Sequence, residues 1–303
     1  MNAKMGLLSA VERGARFALN CYGFQSRTVR TATGTVHAYE GWGPATLPTI
    51  VLLHGLGSTA TSFGKLLTRI RPHAGRVLAL DLPGHGFSEV PHEPLTPGGL
   101  FSAVNESLDM LVEEPMVLVG SSLGGGLALK YALDRPERLV GLALVSPVAA
   151  RMSPTEWEAL LSSFKIESTS QARLLLTRLY HRTPWFISAL APDVRDVMRR
   201  AAIQDIISTA KLEDLPDPAT LRSLAMPVLL LWGQSERLLP PSGLAYFRRY
   251  LPPQSVIEEP AGFGHCPHLD DPARLAARLV EFAKTAFASQ GAIPPRIDGE
   301  VAG

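Results

Sequence analysis

The stretch Gly120-Ser121-Ser122-Leu123-Gly124 constrains this chain more than any other part of its 303 residues. It follows an apolar run at 116–119 and precedes a segment with helical spacing, which indicates a sharp strand–turn–helix connection. In such a turn the middle residue is strained, and the positions two before and two after it must be nearly bare of side chain. Gly120 and Gly124 meet this requirement, so we predict that Ser122 is presented above the sheet. Ser121 would be presented only in a register shifted by one residue.

Short apolar runs that alternate with helix-compatible segments predict the fold. The predicted strands are 35–39, 50–53, 77–80, 116–119, 140–145, 228–232 and 255–258. The predicted helices are 62–70, 100–112, 123–133, 241–250 and 272–288. From Ile50 onward the strands are almost wholly apolar, as parallel strands buried on both faces are. We therefore expect an α/β fold with a doubly wound, mostly parallel sheet.

One long stretch breaks this alternation of strands and helices, and it predicts the domain organisation. Residues 148–224 contain no convincing strand, and their apolar residues recur at helical intervals. We interpret this stretch as a helical cap inserted between two strands of the core, because a structureless loop of that length is improbable in a compact domain. The core then comprises 25–147 and 225–288. Residues 1–24 form an N-terminal helical segment, and 289–303, which are rich in Gly and Pro, form a disordered tail.

Composition narrows the classes of partner and compartment. Lys+Arg number 29 and Asp+Glu 28, a balance that argues against nucleic acid or an anionic membrane as the main partner. No run approaches 18 apolar residues, so we expect no stable membrane insertion. Cys21 and Cys266 make no disulfide framework, and no Cys/His cluster has zinc spacing. We expect a cytoplasmic protein without metal or cofactor.

A serine hydroxyl is a poor nucleophile until a base activates it, and the sequence offers a candidate for each necessary partner. His265 follows the last predicted strand on a glycine-rich loop, so it lies at the carboxyl edge of the sheet and is the candidate base. Glu236 follows the preceding strand and is the candidate acid that orients it. Backbone N–H groups of Leu56 and Leu123 are the candidate donors to an oxyanion, since both follow strands at glycine-rich turns.

Other polar residues near these turns have structural interpretations. We expect His54 to fix its own turn by hydrogen bonds, and Asp81 and His85 to stabilise the Pro-Gly turn that holds them. His268 is the local rival of His265, but we expect it to pack in the loop. Asp270 and Asp271 explain the start of the last helix, with Asp271 as N-cap and Pro272 as the first helical residue.

Together these motifs resemble the α/β-hydrolase fold superfamily, in the branch with a helical cap. The stretches that carry the resemblance are His54-Gly55-Leu56-Gly57, Asp81-Leu82-Pro83-Gly84-His85-Gly86, Gly120-Ser121-Ser122-Leu123-Gly124-Gly125, Trp232-Gly233 with Glu236, and Gly264-His265. Their order along the chain, Ser then acid then His, is the one this superfamily uses. The resemblance covers about residues 25–285. It departs from the usual pattern at Glu236, where Asp is commoner.

A serine at position 122 implies an esterase, lipase, C–C bond hydrolase or cofactor-free perhydrolase, since related dehalogenases and epoxide hydrolases carry Asp there. Our interpretation is a carboxylesterase that acts on a small, apolar acyl substrate. Two alternatives stay open: a C–C bond hydrolase of vinylogous diketones with the same triad, and a low-turnover ligand receptor on the same fold.

Overall fold

The computed structural model describes residues 6–291, and in this range the chain builds one eight-stranded sheet. The strands are β1 (Gln25–Thr31), β2 (Gly34–Trp42), β3 (Ile50–Leu53), β4 (Arg76–Leu80), β5 (Met116–Ser121), β6 (Leu139–Val145), β7 (Val228–Leu231) and β8 (Val256–Glu258). Their order in space is β1-β2-β4-β3-β5-β6-β7-β8. All pairs from β4 to β8 are parallel, while β2 is antiparallel to both of its neighbours. The predicted mostly parallel sheet is confirmed.

Helices cover both faces of this sheet and the region between β6 and β7. Those of the core are α1 (Leu7–Cys21), α2 (Gly64–Ile70), α3 (Pro97–Leu111), α4 (Leu123–Asp134), α10 (Pro241–Tyr250), α11 (Pro267–Asp270) and α12 (Pro272–Gly291). Those between β6 and β7 are α5 (Pro154–Phe164), α6 (Thr169–Leu179), α7 (Ala191–Met198), α8 (Ala201–Thr209) and α9 (Pro218–Arg222). The latter group falls where the sequence predicts a cap, whose limits at 148 and 224 stay a prediction.

The core forms because the apolar strands bury side chains on both faces. In β3, Ile50 and Leu52 pack in the layer that contains α2 and α12, whereas Val51 and Leu53 pack in the layer that contains α3 and α4. All four residues are fully buried. Period-2 alternation of strand side chains makes this two-sided burial possible, and it fixes the sheet between two helical layers.

Strand β1 was not predicted, because its side chains are mostly polar and exposed. It is an edge strand that pairs along its whole length with β2, from Gln25 opposite Glu40 to Thr31 opposite Gly34. The buried Glu40 carboxylate accepts hydrogen bonds from Arg27 of β1 and Arg76 of β4, so ion pairs replace apolar packing at this edge.

The two ends of the described chain are helical. Helix α1 lies within the predicted N-terminal helical segment. Helix α12 ends at Gly291, three residues beyond the predicted end at Ala288, because nothing before that glycine interrupts helical propensity. The rest of the predicted tail, 292–303, lies outside the described residues. Within 6–291, no helix has both the length and the hydropathy to cross a bilayer.

Candidate functional site

The strained turn predicted at Ser122 is present between β5 and α4. Ser122 has φ 54° and ψ −119°, a backbone conformation that residues other than glycine rarely adopt. A Cβ at Gly120 would lie 2.3 Å from the carbonyl oxygen of Gly124, and a Cβ at Gly124 would lie 2.3 Å from that of Leu53. Both glycines are therefore required by close backbone approach. The Ser122 N–H donates to the Val145 carbonyl of β6, which fixes the turn to the sheet.

Two loops at the carboxyl edge of the sheet bring His265 and Glu236 together. The glutamate loop (residues 232–240) follows β7, and the histidine loop (residues 259–266) follows the adjacent strand β8. His265 Nδ1 and Glu236 Oε2 lie 2.8 Å apart, and both side chains are buried. The other oxygen of Glu236 accepts the N–H groups of Leu238 and Leu239, at 2.7 and 3.0 Å. Both oxygens of the carboxylate are therefore held by hydrogen bonds.

Electrostatics at this pair determine which nitrogen of the histidine carries hydrogen. Burial on its own would raise the pKa of Glu236, but the charge of His265 and the hydrogen bonds that the carboxylate accepts hold that pKa at about 2. An ionised carboxylate can only accept, so the proton of the hydrogen bond resides on Nδ1 of His265. In the neutral imidazole, Nε2 is then a lone-pair acceptor, which is the state that a general base requires.

The candidate oxyanion donors flank Ser122. Leu56 lies in the turn after β3, and β3 is paired with β5 so that Leu53 is opposite Gly120. A Cβ at Gly55 would lie 3.0 Å from the Ser122 Cβ, so this turn contacts the serine side chain. Leu123 is the first residue of α4, where N–H groups have no intrahelical carbonyl and the helix dipole favours negative charge.

The neighbouring histidine and aspartate of the predicted turns stabilise the backbone, as expected. His54 Nε2 accepts the N–H of Leu82 at 3.0 Å, and burial lowers the pKa of His54, which keeps it neutral. Asp81 accepts the N–H groups of Ala60 and Phe87, at 2.7 and 3.1 Å.

The other two histidines considered as candidates, His85 and His268, are also buried. His85 Nδ1 lies 2.9 Å from the Pro83 carbonyl within its own turn. His268 packs against the ring of Phe63 with 4.7 Å between centroids, and burial lowers its pKa to about 3. Both side chains are therefore part of the packing beneath the site.

Asp270 has a different part from the one the sequence suggested. Asp271 does cap α12, since its carboxylate accepts the N–H of Arg274 at 3.0 Å. Asp270 instead accepts the N–H of Gly264 at 2.8 Å and that of His181 at 2.9 Å. It therefore ties the histidine loop to the chain after α6. No sequence signal reveals this contact, because the partner lies 89 positions away.

The C-terminal end of α6, with the segment that follows it, is fastened to both loops. The N–H of Cys266 donates to the carbonyl of Leu179 at 2.9 Å, which joins it to the histidine loop. His181 Nδ1 lies 2.7 Å from Ser235 Oγ, which joins it to the glutamate loop. Sequence reasoning missed these connections, which hold the helices between β6 and β7 directly over the carboxyl edge of the sheet.

Ser122 is only 6% exposed and His265 only 2%, so the site is covered. Part of the cover is Met198 at the end of α7, whose sulfur would lie 2.7 Å from a Cβ at Gly57. Among residues 6–291 no group of three or more His, Cys, Asp or Glu side chains is arranged to hold a metal ion.

A strained serine turn and a buried carboxylate–histidine pair, both at the carboxyl edge of a mostly parallel sheet, are the architecture of hydrolytic enzymes of the α/β class. The chain belongs to the alpha/beta hydrolase family, whose sequence profile matches residues 50–278.

Relatives of known name include several hydrolases. The pimeloyl-[acyl-carrier protein] methyl ester esterase of Nitrosospira multiformis is 26% identical over 78% of this chain and 95% of its own length. A bacterial membrane phospholipase A, described as a virulence factor, has a similar structure with TM-score 0.79 at 22% identity, over 92% of both chains. The 2-hydroxy-6-oxo-6-phenylhexa-2,4-dienoate hydrolase of Rhodococcus sp. strain RHA1 has TM-score 0.74 at 24% identity, over 86% of this chain and 99% of that one. At these identities the likeness to the two structures concerns the fold.

Proposed function

We propose that this protein is a serine hydrolase that cleaves carboxylic esters through an acyl-enzyme, with Ser122 as nucleophile, His265 as base and Glu236 as orienting acid. The observation that carries the proposal is the buried 2.8 Å contact between His265 and Glu236, at the sheet edge where Ser122 occupies its strained turn. The esterase among the relatives supports the same reaction class.

The chemistry follows from these assignments. His265 Nε2 takes the proton of the Ser122 hydroxyl as the oxygen attacks the acyl carbonyl, and the resulting imidazolium is stabilised by the ionised Glu236. The backbone N–H groups of Leu56 and Leu123 donate to the oxyanion, and each such donor is worth about 3–4 kcal/mol of barrier. His265 returns the proton to the leaving alcohol, and water activated by the same histidine then releases the acid.

Apolar surroundings support an apolar acyl group. A cleft of about 310 Å³ is lined by Leu123 and Val148, which adjoin the nucleophile turn, and by Phe101 of α3 and Leu127 of α4. The N–H of Val148 donates to the carbonyl of Ser122, so the mouth of the cleft adjoins the nucleophile turn. We propose that the acyl chain lies there. Cys21 and Cys266 are free thiols, which is compatible with the reducing cytoplasm where we place the enzyme.

The test uses p-nitrophenyl esters of increasing acyl length together with a fluorophosphonate probe. We expect turnover and covalent labelling in the wild-type protein, both abolished by Ser122→Ala. The adjacent Ser121→Ala variant is the matched control and should keep both activities. Labelling that persists in Ser122→Ala but disappears in Ser121→Ala would refute the assigned nucleophile.

The two alternatives give different outcomes when a vinylogous diketone is added to the substrates tested. A C–C bond hydrolase would turn over a vinylogous diketone faster than any of the esters. A receptor would be folded and yet neither labelled by the probe nor active on either substrate. Either result would overturn the ester assignment.

A further inference from the structure

Helix α1 exposes a continuous apolar side to solvent, whereas an ordinary surface helix turns its apolar side to the core. The positions that face the protein and are buried or half-buried include Leu8, Glu12, Ala15, Arg16 and Leu19. The opposite side, which we call the α1 stripe, consists of the exposed residues Leu7, Ala10, Val11, Gly14, Phe17, Ala18 and Cys21. Leu7, Val11 and Phe17 are 51%, 52% and 71% exposed. This stripe runs the length of the helix without a charge.

Specific contacts hold α1 in this orientation. The N–H of Leu8 donates to the Asp193 carboxylate of α7 at 2.7 Å, so α7 caps the first turn. The Arg16 guanidinium lies over the ring of Phe87, 4.3 Å from its centroid. Leu19 is almost completely buried. Rotating the helix to hide the stripe would break all three contacts.

A second apolar group lies next to α1. Trp185 is 92% exposed and Phe186 is 54% exposed, and their rings are perpendicular with centroids 5.8 Å apart. They directly precede the 3-10 turn Ile187–Leu190, which packs against α1. The α1 stripe and the aromatic pair therefore lie at the same end of the molecule. Exposed Trp and Phe beside an apolar helix face are typical anchors at a membrane–water interface.

The charge around these groups identifies what covers them. Residues 6–24 and 178–200 contain seven Arg but only three Asp and Glu, although the whole chain is nearly neutral. Arg13, Arg182, Arg199 and Arg200 of this set are exposed. Two copies of this chain that met through the stripe would bring like charges together, whereas an anionic lipid surface complements them.

We propose that the α1 stripe, with Trp185 and Phe186, docks this protein peripherally on anionic lipid membranes. Helix α1 lies in the plane of the interface, with its apolar residues among the lipid chains and its arginines at the headgroups. This surface is distinct from the covered site at Ser122, and the docking does not depend on the proposed reaction.

The experiment measures co-sedimentation of the full chain with vesicles of phosphatidylcholine alone and of phosphatidylcholine with about 30% phosphatidylglycerol. Phe17→Glu and Val11→Glu test the stripe, at exposed helical positions where Glu preserves helix propensity. Met110→Glu is the matched control, since Met110 is 55% exposed on α3. Thermal unfolding and light scattering verify the fold and the oligomeric state of each variant.

We expect binding to the anionic vesicles only, weakened at least about tenfold by either stripe variant and unchanged in Met110→Glu. Raising the salt from about 0.1 M to about 1 M should lower the binding to the level seen with phosphatidylcholine alone, because the Debye length falls from about 10 Å to about 3 Å. Three results would overturn the proposal. They are no binding by the folded wild type, binding that the stripe variants leave intact, and a wild-type dimer that Phe17→Glu converts to monomer.

Discussion

The close approach of the histidine loop to the chain after α6 gives a sharp prediction at Gly264. A Cβ at this position would lie 2.5 Å from the carbonyl carbon of Tyr180 and 2.6 Å from the nitrogen of His181. The first distance is about 0.9 Å short of the 3.4 Å at which ordinary contact begins. Both neighbours are backbone atoms, so no side-chain rotation relieves the clash. The two segments must separate.

The expected losses of stability and of kcat depend on which atoms move when the two segments separate. Overpacking of this kind costs about 1–3 kcal/mol of stability in a buried region. Gly264 directly precedes His265, and a displacement of about 1 Å at a reacting group lowers the rate by about a hundredfold. Under the proposed function we therefore expect Gly264→Ala to lower kcat by about tenfold to a hundredfold, with a smaller change in KM.

The assay is steady-state hydrolysis of a p-nitrophenyl ester, with the rate of fluorophosphonate labelling and the melting temperature measured on the same samples. Gly99→Ala on α3 is the control, because its Cβ would meet only Thr96 Oγ1, at an ordinary contact distance of 3.5 Å. That variant should be fully active and up to about 1 kcal/mol more stable, as alanine is favoured over glycine in helices. If Gly264→Ala loses stability but keeps kcat within twofold of wild type, the contact between these two segments does not position His265.

Three further predictions concern single side chains. Glu236→Gln removes the charge that stabilises the His265 imidazolium, so kcat should fall by about 10³–10⁴-fold in the same ester assay while the fold is kept; near-normal turnover would show that another group orients the imidazole. Asp271→Ala removes the cap on Arg274 N–H and should cost about 0.5–2 kcal/mol in urea unfolding, with no loss of activity. The buried His268 stays neutral down to a pKa of about 3, whereas in the unfolded chain it takes up a proton below about pH 6.5. The free energy of unfolding should therefore decrease as the pH is lowered through that window, by about 1.4 kcal/mol per pH unit from this residue. His268→Phe should remove this slope, and equal slopes in the two proteins would contradict the buried, neutral state.

The sequence was a good guide wherever burial is continuous along the chain. The predicted strands at 50–53 and 228–232 agree with β3 and β7 to within a residue, because parallel strands covered on both faces must be apolar throughout. Strand β1 is not predicted because it lies at the edge of the sheet and its side chains are mostly polar and exposed. Its stability comes from pairing with β2 and from the buried Glu40 carboxylate, and neither contact leaves an apolar pattern in Gln25–Thr31.

The sequence also predicts some residues of the candidate site and misses some of its contacts. Ser122, Glu236 and His265 follow strands, and the carboxyl ends of adjacent parallel strands share one edge, so local motifs sufficed to nominate them. Their catalytic roles stay predictions, which the contact between His265 and Glu236 supports. The sequence predicts that Asp270 helps to start a helix, because capping is the function that an aspartate shortly before Pro272 most often has. Its actual partners include a backbone N–H from another part of the fold, and one-dimensional spacing carries no information about such contacts.

Helix α1 shows that the net charge of the whole chain does not reveal a locally basic surface. The near-equality of 29 basic and 28 acidic residues argues against an anionic partner only if the two signs are mixed evenly over the molecule. The fold instead places exposed arginines on α1 and directly after α7, and these two helices are in contact. Peripheral binding depends on this local field within about a Debye length, roughly 10 Å, and not on the net charge of the chain. A nearly neutral protein is therefore able to bind an anionic membrane at one end while its remaining surface is repelled, which also orients it on the lipid.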